Sequence, residues 1–350
     1  MNGKAVFPGG NAQSLNDVAG QPIAEYTHAK SGTVHKLEGP AKAKNIVFKA
    51  TGDYSDGDTW TLNNTPVTVT YNGGEELLPT AVLIGDMVQA VVMGNQVRLM
   101  LQKTTPQESI SDNGNFDVNQ QNETEYVGSR YTVDRWLINS SSDGYILKVH
   151  DGYIEFINNG KNSAAIRQFL EQLPPGTYTM AVLTGNGLKY GTVVWDGSTG
   201  VSAPTSFGSL FIGIMSNRIH MSIFVNSGKT EKFYAAKLEP GKRFTGWPAW
   251  DYGAELVKCQ KYFRVAKRWD FWKGINVQPN YIDFPFPGLY GMRTKPAIIN
   301  PEGFNLSKQG FTFELVSFGL SPRLRAAKTN HGLTGALLEA NSNIYFDANL

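Results

Sequence analysis

Residues 247–272, WPAWDYGAELVKCQKYFRVAKRWDFW, hold four of the seven tryptophans of the chain around one segment with a helical pattern. Its apolar residues recur at spacings of four, three and four, which places them on one helical face: Tyr252, Leu256, Cys259 and Phe263. Asp251 precedes them and is a favourable N-cap residue. The stretch therefore predicts a helix of about three turns, whose apolar face packs either on its own domain or across the chains of an oligomer.

The chain before this helix has the pattern of β-strands. Short runs rich in Val, Ile, Thr and aromatic residues are bounded by Gly, Asn, Asp or Pro. Residues 41–103 predict a small β domain that ends in a tight hairpin at Gly94 and Asn95. Residues 1–40 show weak apolar periodicity and are predicted as an extended leader or attachment segment. The polar residues 103–115 predict a linker.

Residues 112–243 continue the strand pattern at a spacing typical of an antiparallel β-sandwich. IRQFLEQL at 166–173 fits a helical stripe almost as well, but we assign it to a strand, followed by a Pro174–Gly176 turn into the next strand of the same sheet. Residues 244–350 predict the helix followed by a second β-sandwich, with strands near INVQ, IDFPF, FTFELVSF and NIYFDAN. The predicted fold class is all-β and multidomain.

Composition excludes several classes of protein. The 32 basic and 30 acidic residues are mixed along the chain, so no basic run predicts a nucleic-acid partner. The apolar runs are too short for membrane insertion. Cys259, the single cysteine, cannot form an intramolecular disulfide, which is compatible with assembly in a reducing cytoplasm.

Several motifs resemble those of tail-fibre and receptor-binding proteins of bacteriophages and prophages. They are NFD at 115–117, YTVDRW at 131–136, LPPGTYT at 173–179, KLEPG at 237–241, YGAEL at 252–256, CQKYF at 259–263 and YFDANL at 345–350. The resemblance covers about two thirds of the chain, residues 112–350. It implies a jelly-roll domain similar to carbohydrate-binding modules, followed by a β domain at the fibre tip.

The same resemblance implies what such a protein does. It implies an elongated homotrimer in the virion tail, which contacts other tail proteins through its amino-terminal region and the bacterial surface through its carboxy-terminal part. The expected function is multivalent, non-covalent attachment to a surface glycan. The alternatives are a purely structural tail or baseplate subunit and a glycan-cleaving tailspike enzyme.

Glycan binding requires aromatic faces for the sugar ring and planar amides or carboxylates for its hydroxyl groups. Two sets of residues have this chemistry, and packing in a core or between chains is the alternative interpretation of the same aromatic residues. The first set is Trp269, Asp270, Trp272, Asn280, Tyr281, Asp283 and Tyr290. The second set, in the expected jelly roll, is Tyr145, Tyr190, Trp195 and Asp196, whereas Trp136 is predicted to lie in the core.

Catalytic and metal-binding signatures are weak in this sequence. There is no G-x-S-x-G elbow, phosphate-binding loop or dinucleotide fingerprint, and Cys259 on an apolar helical face is expected to be a small buried side chain. Asp53, Asp56 and Asp58 lie close in sequence, but their spacing is not that of an EF-hand. We therefore expect no enzyme activity, no cofactor and no metal.

Overall fold

The computed structural model describes residues 22–139, 144–266, 270–286, 292, 296–317, 323–331, 333, 336–341 and 344–348. The chain divides into two compact units. The first consists of Met1–Glu108, Thr177–Thr179 and Glu239–Pro248, and the second of Ser109–Gly176, Met180–Leu238 and Ala249–Leu350. The described residues form several β-sheets and one α-helix, so the prediction of an all-β protein with several sheets is confirmed.

A closed β-barrel forms the main part of the first unit. Its strands are β1 (Ile23–Ser31), β2 (Val34–Glu38), β3 (Asn45–Lys49), β4 (Thr59–Leu62), β5 (Thr65–Tyr71), β6 (Met87–Met93) and β7 (Gln96–Leu99). They pair in the order β1-β2-β4-β5-β7-β6-β3. The β1/β3, β2/β4 and β5/β7 pairs are parallel, whereas β6 and β7 form the predicted hairpin, with Met93 opposite Gln96.

The prediction for the amino-terminal region differs from the structure. Residues 1–40 were expected to be an extended leader, but β1 and β2 are full members of the barrel. Their inward positions alternate as a strand requires, and two of these positions are His28 and His35. Because histidine is polar, His28 and His35 interrupt the apolar alternation of the inward-facing Tyr26 and Leu37, which explains why the pattern was missed. Residues 1–21 lie outside the described part of the chain.

Two sheets form the amino-terminal part of the second unit. The strands are β8 (Glu125–Val127), β9 (Leu137–Asn139), β10 (Tyr145–His150), β11 (Tyr153–Asn158), β12 (Ala164–Phe169), β13 (Gly176–Thr184), β14 (Gly187–Trp195), β15 (Val201–Pro204), β16 (Gly208–Met215), β17 (Arg218–Val225) and β18 (Thr230–Pro240). One sheet has the order β14-β13-β18-β11-β10-β8 and the other β15-β16-β17-β12-β9. A hydrogen bond of 2.8 Å from Asn158 Nδ2 to Val225 O joins β11 to β17.

The ambiguous segment IRQFLEQL begins within a strand, as predicted. All six residues of β12 are buried, which explains why the alternation of a half-exposed strand is absent there. The Pro174–Gly176 turn was expected to join two strands of one sheet. This expectation is wrong, because β12 and β13 belong to different sheets.

The rest of the second unit begins with the helix α1 (Tyr252–Gln260) and continues in short strands. These are β19 (Phe263–Ala266), β20 (Phe271–Lys273), β21 (Asn276–Gln278), β22 (Tyr281–Pro285), β23 (Ala297–Ile299), β24 (Thr312–Ser317), β25 (Arg323–Ala327), β26 (Leu337–Glu339) and β27 (Ile344–Asp347). They form the sheets β19-β27-β23, β20-β26 and β21-β22-β25-β24 around a core that includes Phe284, Phe304 and Phe346. The predicted strands near INVQ, IDFPF, FTFELVSF and NIYFDAN are confirmed.

Helix α1 begins as predicted, because Asp251 Oδ1 accepts a hydrogen bond of 2.7 Å from Ala254 N. Its buried face differs from the prediction. Glu255 and Cys259 are buried, whereas Tyr252 is 53% exposed. Glu255 tolerates burial because its carboxylate accepts hydrogen bonds from Asn113 N at 2.6 Å and Lys258 Nζ at 2.8 Å.

Candidate functional site

Two of the four secondary candidate residues, in the two-sheet region, are buried. Tyr145 and Trp195 are each 1% exposed, so the expectation that their rings bind a sugar is wrong. Trp195 Nε1 donates a hydrogen bond of 3.1 Å to Leu173 O, which fixes the ring in the core. Asp196 is exposed at a turn and accepts hydrogen bonds from Ser198 N and Thr199 N, which keep its pKa low. Tyr190 is half-buried on β14. Trp136 is fully buried, as predicted.

The primary candidate residues lie in two groups, with Trp269 and Tyr290 outside the described residues. Asp283 is 2% exposed and accepts hydrogen bonds from Arg325 Nε at 2.7 Å and Nη2 at 3.2 Å. The same guanidinium lies 3.8 Å from the centre of the Tyr281 ring. Asn280 Oδ1 accepts a hydrogen bond from Asn330 N. Asp283 therefore stabilises the sheet and is not an accessible hydroxyl acceptor.

Asp270 and Trp272 line a small cavity of about 200 Å³. The Trp272 ring stacks on Phe286 with 4.2 Å between ring centres, and part of its surface remains exposed. Gln120 and Gln260 also line this cavity. We call this cavity the tryptophan pocket.

A larger cavity of about 490 Å³ shares Gln120, Gln260 and Val265 with the tryptophan pocket. Its lining has four carboxamides, one phenol and two aliphatic side chains: Asn119, Gln120, Asn122, Tyr252, Leu256, Gln260 and Val265. We call it the amide groove. The two cavities share three lining residues, so they are neighbours in the second unit.

Helix α1 supplies one wall of the amide groove. Tyr252, Leu256 and Gln260 are spaced by four residues and so lie along one side of the helix. Tyr252 belongs to the stripe that the sequence assigned to packing, but its ring is exposed at the groove. Two of the four residues of the predicted apolar face, Tyr252 and Leu256, therefore line a cavity.

A tight loop supplies three further lining residues, Asn119, Gln120 and Asn122. Asn119 Oδ1 accepts a hydrogen bond of 2.6 Å from Tyr126 Oη, and its Nδ2 donates to Glu123 O at 2.8 Å. Asn122 N donates to Asn119 O, which closes a turn, and Asn122 has a left-handed φ of 55°. Gln120 Nε2 donates to Phe263 O at 2.9 Å, so the loop is attached to the chain just after α1.

Several polar atoms in the groove remain available to a ligand. Within the described part of the chain, the side-chain amides of Asn122 and Gln260 make no hydrogen bond, and Oε1 of Gln120 accepts none. An amide both donates and accepts, as a sugar hydroxyl does. The exposed ring of Tyr252 adds an apolar face beside them. The groove thus combines the two chemistries that a pyranose ring requires.

A buried carboxyl lies next to Gln120. Asp134 Oδ2 accepts a hydrogen bond of 3.4 Å from Gln120 N, and among the described residues Oδ1 has no hydrogen-bond partner. Burial raises the pKa of Asp134 to about 7.

A cluster of polar and charged side chains around Arg135, which we call the Arg135 lock, attaches the end of α1 to the neighbouring strands. The Arg135 guanidinium is buried, lies 3.4 Å from the centre of the Tyr262 ring, and donates from Nε to Asp112 Oδ2 at 3.1 Å. It also donates to Phe169 O. Tyr262 Oη in turn donates to Glu171 at 2.6 Å. The motifs YTVDRW and CQKYF thus meet in space, where they attach the end of α1 to the adjacent strands.

The barrel contains a second buried polar cluster, and its hydrogen-bond direction is fixed. Thr51 N donates to His28 Nδ1, so His28 Nε2 carries the hydrogen and donates to His35 Nδ1 at 2.9 Å. His35 Nε2 then donates to Asp58 Oδ2 at 3.0 Å. Asp58 also accepts from Lys30 Nζ at 2.6 Å.

This histidine chain uses the ring nitrogens of both imidazoles. Burial, together with the neighbouring His35 and Lys30, lowers the pKa of His28 to about 4, and burial lowers that of His35. Asp58, one of the three aspartates that lie close in sequence, forms an ion pair with Lys30 in the barrel. Among the described residues, no cluster of three or more His, Cys, Asp or Glu side chains is arranged to hold a metal ion.

Sequence reasoning found Asp270 and Trp272 but missed the amide groove. Asn119, Gln120 and Asn122 lie about 140 residues from Gln260 in sequence, and carboxamides in a loop follow no period that marks a site. The available signal was the polar segment VNQQNET at 118–124, rich in amides and placed between two expected strands.

Comparison with known proteins adds no family assignment: no family model matches the chain, and no curated protein sequence is similar to it. In the described residues, no helix has the length and apolar character needed to cross a membrane.

Proposed function

We propose that this chain is a glycan-binding protein that attaches a phage or prophage tail to the bacterial surface, with the amide groove as its binding site. The observation that carries the proposal is the groove itself, which is lined by the amides of Asn122 and Gln260, unpartnered among the described residues, and by the exposed Tyr252. The tail-fibre assignment rests on the sequence motifs. In this proposal the protein binds its ligand without turning it over.

The fold is compatible with the finer architecture that the motifs imply. Antiparallel sheets of six and five strands precede α1, as a jelly-roll sandwich similar to carbohydrate-binding modules would require. In the proposed virion the chain is an elongated homotrimer whose amino-terminal region contacts other tail proteins. Three copies of a shallow groove would then bind a repetitive surface with an avidity that one copy lacks.

The test is binding to a bacterial glycan array and to host cells. Tyr252→Ala and Gln260→Ala each remove a groove contact, and we expect each to weaken binding about tenfold, since one lost hydrogen bond or stacking contact costs about 1.4 kcal/mol. Val257→Ala is the matched control, because Val257 is exposed on the same helix and does not line the groove. Equal binding by all variants would contradict the proposal.

A structural tail subunit is the second candidate function. It is favoured by the burial of Tyr145, Trp195 and Asp283, which were expected at a ligand site and instead stabilise the fold. Unchanged adsorption of the Tyr252 and Gln260 variants, with no glycan bound on the array, would support it. New reducing ends after incubation with host polysaccharide would indicate cleavage instead.

A further inference from the structure

The outer face of the six-stranded sheet carries a row of aromatic side chains. Strands β10 and β11 place His150 opposite Tyr153, and the two rings stack with 4.5 Å between their centres. The Tyr153 ring in turn lies 5.3 Å from the ring of Tyr234 on β18. The neighbours of the tyrosines in sequence, Ile154 and Phe233, are fully buried, so the three rings lie on the opposite, outer side of the sheet. We call these three residues the aromatic row.

The aromatic row is accessible to solvent. Tyr234 is 37% exposed, the side chain of His150 is also 37% exposed, and Tyr153 between them is half-buried. Cross-strand aromatic pairs stabilise a sheet whether or not a ligand binds, so contact between the rings is not by itself the sign of a site. Rings that also keep exposed surface can pack against the C–H face of a sugar.

Charged side chains form a second row, two residues from the aromatic row on β10, β11 and β18. Their sign alternates from strand to strand. Lys148 lies opposite both Glu125 on β8 and Glu155 on β11. Glu155 lies opposite Lys232, whose Nζ is 5.2 Å from the centre of the Tyr153 ring. We call these four residues the charged row. Because carboxylates accept hydrogen bonds and ammonium groups donate them, the charged row offers both kinds of partner to a hydroxyl group.

The aromatic row begins close to the segment that lines the amide groove. Asn122 of the groove precedes Thr124 by two residues, which span at most about 7 Å. Thr124 O accepts a hydrogen bond of 2.9 Å from Val149 N, and Val149 is adjacent to His150. The backbone that carries one end of the aromatic row is therefore attached to the chain that leaves the groove.

We propose that the outer face of this sheet is a second sugar-binding subsite, where the aromatic and charged rows bind sugars of the same glycan beyond those in the amide groove. This inference rests on the proposed function and adds a subsite to it. The rings supply apolar contact to the face of a pyranose, and the charged row supplies hydrogen bonds to its hydroxyl groups. Two subsites on one chain bind a long glycan more tightly than either does alone, because the second contact forms at high effective concentration.

The experiment compares two ligands of different length on the full chain. A disaccharide and a long oligosaccharide are prepared from the polysaccharide that binds best on the glycan array. Tyr153→Ala and Tyr234→Ala should each weaken binding of the long oligosaccharide about fivefold, the effect of one lost ring contact, and leave binding of the disaccharide unchanged. Tyr252→Ala, in the groove, should weaken binding of both ligands.

Val194→Ala is the matched control, because Val194 is exposed on β14 of the same sheet, two strands from β18. If both row variants bind the long oligosaccharide as tightly as the unmodified chain while Tyr252→Ala loses affinity, the sheet face is only structural. That result overturns the inference and leaves the proposed function standing. If the unmodified chain binds neither ligand, both fail.

A measurement on the unmodified protein covers the case in which a row variant does not fold. The ring C–H signals of His150, assigned with His150→Gln, are followed by NMR during titration with each ligand. They should shift with the long oligosaccharide and stay in place with the disaccharide. Signals that stay in place with both ligands, under conditions where both bind, would overturn the inference.

Discussion

At the scale of single residues, His28 and His35 make the stability of the barrel depend on pH. Both are neutral in the folded state, because each ring nitrogen already has a fixed role in the chain from Thr51 N to Asp58. An added proton on either imidazole must replace an acceptor with a donor, and it must do so near the charged Lys30. Histidines in the unfolded chain accept a proton freely near pH 6.5.

We therefore predict that acid weakens the barrel. Because the folded-state pKa of His28 is lowered to about 4, the stabilisation is complete above pH 6.5 and is lost as the pH falls from 6.5 towards 4. The free energy of opening of β1 and β2 should decrease by about 2 kcal/mol between pH 7 and 4.5. Hydrogen exchange, corrected for the intrinsic rate at each pH, measures this quantity.

Two variants check the origin of this pH dependence. His28→Gln keeps a donor towards His35 but cannot be protonated, so its pH dependence should be shallower. His150→Gln is the control. His150 is exposed on β10, beside Glu155, and does not belong to the hydrogen-bonded series from Thr51 to Asp58. An equally steep profile for His28→Gln would show that another group causes the effect.

At the scale of elements, the sequence predicted most of the strands after residue 40 and where the helix begins, but it missed β1 and β2. The Gly94–Asn95 hairpin and the Asp251 cap follow from local backbone chemistry, which a sequence displays directly. The parallel pairs of the barrel were not predictable, because they join strands that are distant in sequence. The burial of Glu255 was missed because its partner, Asn113 N, belongs to a segment 142 residues away.

The attachment of α1 gives an element-scale prediction. Arg135→Ala removes the contact with Tyr262, the ion pair with Asp112 and the hydrogen bond to Phe169 O, so it should lower the free energy of unfolding of the second unit by about 3 kcal/mol. Tyr262→Phe removes only the hydroxyl that donates to Glu171 and should cost about 1 kcal/mol. Urea unfolding measures both changes.

Arg130 provides a control for this measurement. It forms an exposed ion pair with Glu123, and solvent screens such a pair, so Arg130→Ala should change stability by less than about 1 kcal/mol. Similar losses for Arg130→Ala and Arg135→Ala would contradict the role assigned to the Arg135 lock.

At the scale of the whole molecule, multivalent binding depends on the number of chains in the particle. We predict a particle with three times the 38.5 kDa mass of one chain in light scattering. A trimer should also bind a glycan-coated surface far more tightly than it binds the free oligosaccharide, because the second and third grooves bind at high effective concentration. A monomeric mass would remove the multivalent mechanism, although a single groove could still bind sugar.

The candidate site was only partly predictable at this scale as well. Asp270 and Trp272 were identified because an aromatic ring beside a carboxylate is visible in sequence. The groove beside them is made by tertiary contacts, such as the hydrogen bond from Gln120 to Phe263 O, which bring a loop to a helix. No local pattern contains that information.

The burial of Cys259 provides a built-in chemical reporter. This thiol is the only one in the chain, it is completely buried on α1, and burial raises its pKa, so it should resist thiol reagents while the helix stays in position. The rate at which such a reagent consumes the thiol then measures how often α1 detaches, without any engineered label. Saccharide bound against Tyr252 and Gln260 should slow that reaction, and the degree of slowing would give the affinity of the native, unmodified protein.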